Sequence, residues 1–75
     1  MKMTRKNGVM IVEKQSIFSG DINTMEINVS ISQVQDWQNG TLIQNAMPNL
    51  KPHEREFLLS GMSKKEQEKF YNLKN

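Results

Sequence analysis

His53 and Glu56 stand three residues apart in the run His53-Glu54-Arg55-Glu56, a spacing that sets an imidazole and a carboxylate on one face of a helical turn. Two ligands are too few to hold a metal, and the zinc-protease pattern His-Glu-x-x-His is absent. An exposed, charge-rich helix start is the better reading. With one histidine and no cysteine, the chain has little from which to assemble an acid, a base and a nucleophile. Its four glycines are widely separated, each at a turn or helix end rather than in a phosphate-cradling loop. The residues therefore point to a protein that is not an enzyme and carries no cofactor or metal.

Binding chemistry is better represented. Trp37 is the single tryptophan, and in so small a domain a tryptophan often keeps an edge at the surface, where it can anchor a partner; core packing is its commoner use. Gln33, Gln35, Asp36, Gln38, Asn39, Gln44 and Asn45 surround it with an amide-rich stretch. Such a surface can hydrogen-bond to a protein and is poorly suited to DNA. The candidate protein-binding residues are Trp37, Gln38, Gln44, Asn45 and Met47. Six methionines suit adaptable binding surfaces, but filling an irregular small core should account for most of them.

The alternative is a small nucleic-acid-binding regulator using Lys64, Lys65 and Lys69 with Lys2, Arg5 and Lys6. Residues 54–60, a turn at Gly61-Met62 and residues 63–73 have the lengths of a helix-turn-helix. Against it, Phe57 is bulky where close helix approach needs a small residue, and Gln67 stands where the second helix should bury an apolar one. Glu66 and Glu68 also dilute the attraction of that helix to phosphates.

Charge is unevenly spread. Residues 1–14 hold four basic groups against Glu13, residues 15–50 hold three acidic groups and no base, and residues 51–75 interleave six basic with four acidic groups. The basic start, residues 1–8, reads as a flexible arm, and solubilisation is a more ordinary use of such an arm than nucleic-acid contact. At 75 residues the chain makes one domain with a small core. No membrane span or secretory leader is evident, which places it in the cytoplasm.

The elements that must position these groups follow from local signals. Residues 9–18 and 22–29 form a β-hairpin turning at Ser19-Gly20-Asp21, where Gly20 can take a positive φ. Ser30 and Gln33 make a capping box that opens a helix ended by Gly40, with Ile31, Val34 and Trp37 on one face. Residues 41–47 pair Leu42 with Ala46 and Ile43 with Met47 in a helix of two turns, stopped by Pro48. Pro52 opens a third helix that Gly61 closes, and Ser63 with Glu66 caps a fourth, whose apolar residues are Phe70, Tyr71 and Leu73. The expected fold is α+β, a hairpin covered by three to four short helices. Its unpaired edges and small core predict a homodimer or other small oligomer.

The pattern Gly40-x-Leu42-Ile43-Gln44-x-Ala46-Met47-Pro48-x-Leu50, followed by Glu54-Arg55-Glu56-Phe57-Leu58-x-x-Gly61, resembles a group of short uncharacterised proteins of tailed bacteriophages, over about residues 19–66. Lys51-Pro52 replaces the Ser or Thr that usually opens the third helix of that group. Lys64 and Lys65 stand in a last helix that is usually acidic and carries a tryptophan, so the resemblance extends no partner surface to the C-terminal helix. It implies a phage setting and no particular activity. Together with the residues, it leads to the expectation of an accessory protein that binds a host or viral protein and inhibits a host factor or antiviral defence system. A virion structural role is a third possibility.

Overall fold

Asn7 and Gly8 both adopt positive φ, 52° and 83°, as the tight hairpin turn favoured by Asn-Gly requires. In the computed structural model, which describes residues 1–74 and the side chains as far as Asn72, this turn joins β1 (Lys2–Lys6) to β2 (Val9–Gln15). The basic segment expected to be an arm is therefore a paired strand. β2 also pairs with β3 (Ile22–Ile27), giving an antiparallel meander in the order β1-β2-β3 with Val12 opposite Met3 on one side and Met25 on the other.

Four helices follow: α1 (Ile31–Gln38), α2 (Ile43–Ala46), α3 (Pro52–Ser60) and α4 (Lys64–Lys74). The fold is α+β, as the sequence leads one to expect, with three strands where two were expected. The strand before the expected connection ends at Gln15, so Ile17 and Phe18 belong to a loop over residues 16–21 in which Gly20 has φ 80°. The second helix is a single turn, shorter than the expected two. Thr41 does not cap it; Leu42 stands at the N-cap without a side-chain hydrogen bond.

The other helix boundaries lie where their local chemistry puts them. Ser30 Oγ accepts from the Gln33 N–H (3.1 Å) while Gln33 Oε1 accepts from the Ser30 N–H (2.9 Å). Pro52 begins α3, Glu54 Oε1 accepts from the Lys51 N–H (2.8 Å), and Gly61 closes the helix at φ 77°. The Leu73 side chain, expected to add apolar surface to α4, lies outside the described residues.

One sheet face is covered. Met10, Val12 and Ile27 pack against Val34, Ala46, Met47, Leu50, Phe57 and Leu58 from the helices, while Thr4, Ile11 and Glu26, which the strand alternation turns to the opposite face, are not fully buried. Three methionines, Met10, Met47 and Met62, are buried, and Met3 and Met25 pack against the core. Lys14 lies on the helix side of β2, where its Nζ donates to the Leu58 and Leu59 carbonyls (2.6 and 3.2 Å). A cation at the C-terminal end of α3 complements the helix dipole and pins the helix to the sheet.

Candidate protein-binding surface

α1 divides the helix layer into two grooves. Its Trp37 side meets Gly40, Thr41, Leu42 and Ile43 and, from α3, Leu59, around an open space of about 430 Å³. Trp37 is half-buried, with part of its indole packed on the core, whereas Leu42 and Leu59 are 64% and 52% exposed. Trp37 is thus partly core and partly surface. Gly40 makes the floor possible: at φ 107° it turns the chain sharply after α1 and brings Leu42 alongside Trp37.

Of the other residues singled out from the sequence, Gln38 is exposed but lines the second groove, on the far side of α1, and Gln44 and Asn45 are exposed on α2 and line neither. Met47 is the clear correction. It is 0% exposed, because a one-turn α2 followed by Pro48 directs its last side chains into the core, so it cannot touch a partner in this fold. Gln33 is engaged internally: its Nε2 donates to Asn49 Oδ1, and Asn49 Nδ2 donates to the Asn28 carbonyl, both at 2.8 Å.

Leu59 and Leu42 escaped the sequence reading for different reasons. Phe57, Leu58 and Leu59 are consecutive, and three neighbours on a helix cannot all face one core; that signal was present. Leu42 is exposed because α2 begins after it, which no local pattern announces.

The second groove, about 310 Å³, runs between β1 and α1 and is lined by Met3, Met10, Ile31 and Val34 with Arg5, Gln35 and Gln38. Arg5 makes no hydrogen bond or ion pair among the described residues. The basic residues of the nucleic-acid alternative are not gathered together. Strand alternation sends Lys2 and Lys6 to the sheet face without helices and Arg5 to the face with them, while Lys64, Lys65 and Lys69 are exposed on α4. Gln67, in place of an apolar residue, is buried with its Nε2 donating to the His53 and Met62 carbonyls (2.9 and 3.0 Å).

One carboxylate is strongly perturbed. Glu66 is held down from 4.5 to about 2 by hydrogen bonds from the Ser19 hydroxyl, the Ser63 N–H, the Asn23 amide and the Ser16 hydroxyl, which outweigh the burial that pushes it up. Its Oε1 accepts from Ser63 N–H (3.1 Å) and from Asn23 Nδ2, and its Oε2 from Ser16 Oγ (3.2 Å). Every oxygen is taken by the protein itself, so this group is a structural joint rather than a reacting one. His53 and Glu56 are both half-buried on α3, and among the described residues no three His, Cys, Asp or Glu side chains cluster as metal ligands. No described helix is long and apolar enough to cross a membrane.

Compared with family models, curated proteins and solved structures, the chain matches none.

Proposed function

We propose that this chain is a phage-type accessory protein acting in the bacterial cytoplasm by binding another protein, host or viral, with inhibition of a host factor or antiviral defence system as the outcome. The supporting observation is the groove at Trp37, where the half-buried indole and the exposed Leu42 and Leu59 meet at one open site. An indole edge flanked by aliphatic groups and rimmed by neutral residues is the composition of an interface anchor. Affinity purification from expressing bacteria tests it: the chain should retain a stoichiometric protein that Leu42→Glu and Leu59→Glu lose. Recovery of nucleic acid with no such protein would overturn the reading.

The alternative, a nucleic-acid-binding regulator, draws support from α3 and α4 being joined by residues 61–63 alone. Such binding weakens steeply with salt as phosphate contacts release counterions. Mobility shifts on random duplex and single-stranded DNA decide, and no shift at low salt removes this reading. Self-association belongs to the main proposal; light scattering should show a mass above 8.7 kDa that rises with concentration.

A further inference from the structure

β1 is an edge strand, hydrogen-bonded only to β2. Lys6 and Val9 flank a two-residue turn, so they form a hydrogen-bonded pair, and alternation along the ladder makes Thr4 and Lys2 inward-bonding as well. Met3 and Arg5 consequently present their N–H and C=O groups to the open edge. The same two residues turn their side chains to the helix face, where both line the groove against α1. A backbone edge and a side-chain slot thus lie next to each other.

The charges indicate what would fit. Lys2, Arg5 and Lys6 make β1 basic with no acidic residue. Pairing β1 with β1 of a second copy about Thr4 would set Lys2 against Lys6, and like charges directly opposite are destabilising. Opposite charges are stabilising in the same positions.

We infer that β1 and its groove accept an extended acidic segment of a partner protein as a fourth strand, with an apolar side chain beside Met3 and a carboxylate on Arg5. This rests on the protein-binding reading but not on the Trp37 groove. Main-chain bonds to Met3 and Arg5 supply affinity, and the alternate side chains supply selectivity. Antiparallel addition places carboxylates opposite Lys2, Arg5 and Lys6 and an aliphatic group over Met3, Ile31 and Val34. Gln35 and Gln38 offer amide donors to the carboxylate that meets Arg5.

The probe is a labelled, end-capped peptide with glutamates opposite Lys2, Arg5 and Lys6 and leucine opposite Met3, followed by fluorescence anisotropy. Saturable binding is expected, weakened about threefold by Arg5→Ala through the lost charge pair. Arg5→Pro, which also removes an edge N–H, should weaken it about tenfold further. Circular dichroism confirms that each variant is folded. Equal binding of a lysine-bearing peptide, no binding of the acidic one, or no effect of Arg5→Ala and Arg5→Pro would each overturn the inference. If the peptide fails while Leu42→Glu still abolishes partner capture, strand addition falls and the protein-binding reading stands.

Discussion

The two ends of the molecule are built on opposite principles. Around the 16–21 loop, backbone and side chains interlock: Ser16 Oγ accepts from the Phe18 and Ser19 N–H groups (3.1 and 3.3 Å), the Ile17 N–H donates to the Ser60 carbonyl (3.0 Å), and Phe18 meets Phe70 edge to face at 6.2 Å. Asn23 bridges Gly61 and Glu66. Around α1 and α2, by contrast, apolar side chains stand open in two grooves and amides face outward. The contrast is one of degree: Gln33, Asn49 and Asn28 also make a hydrogen-bonded joint beside α1, and Ile17 and Ile22 stand 74% and 64% exposed at the loop end, but the carboxylate-centred network lies with Glu66. The Glu66 joint and the proposed Trp37 surface can therefore be probed by separate mutations.

The comparison breaks most severely at Gly61. A Cβ there would collide with the Gln15 backbone carbonyl, and the φ of 77° is unfavourable for any other residue. Gly61→Ala should lose about 3 kcal/mol, enough to leave much of so small a domain unfolded, as a urea titration would show. Next comes Glu66→Gln, expected to lose about 1.5 kcal/mol by weakening a charge-assisted network. Because the Glu66 carboxyl is depressed to about 2 from 4.5, its contribution is fully present above pH 4.5 and fades as the pH falls toward 2. Acid titrations followed by Trp37 fluorescence should show wild type losing its advantage over Glu66→Gln across that window.

Smaller effects sharpen the contrast. Gly8→Ala, at φ 83° with open space around it, should lose about 1 kcal/mol through backbone strain alone. It should also loosen the β1 side of the Arg5 groove while leaving the Trp37 groove intact, which amide chemical shifts would resolve. Leu42→Glu is the smallest in stability, within about 0.5 kcal/mol because the side chain is exposed. Its effect belongs to partner capture, and a large drop in thermal midpoint would contradict the division drawn here.

Much of the helical part was legible because its signals are local. Ser30 with Gln33, Pro52 and Ser63 with Glu66 act within one turn, so adjacent letters suffice. Asn7-Gly8 was equally local, yet the charge of Lys2, Arg5 and Lys6 suggested an arm; an edge strand tolerates such charge because its outer rim stays wet. Met47 could not be placed from sequence, since its direction depends on where the single turn of α2 begins. The Glu66 joint was hidden for a stronger reason: Ser16 and Asn23 lie 50 and 43 residues away from it. Of the two grooves, Trp37 was legible in the sequence and Leu42, Leu59 and the Arg5 groove were not, because grooves arise between elements and leave no mark within any one of them.

Glu66 serves two masters. The carboxylate that accepts the Ser63 N–H at the start of α4 also holds Asn23 and Ser16 on the sheet side. The Ser63–Glu66 cap is local, but docking adds the Asn23 and Ser16 bonds to the same carboxylate, so winding and docking the last helix reinforce each other. In native-state hydrogen exchange the amides of Ser63, Phe18 and Ser19 should open as a single cooperative unit, with a common free energy. The loop and the helix, far apart in the chain, would come apart on one clock.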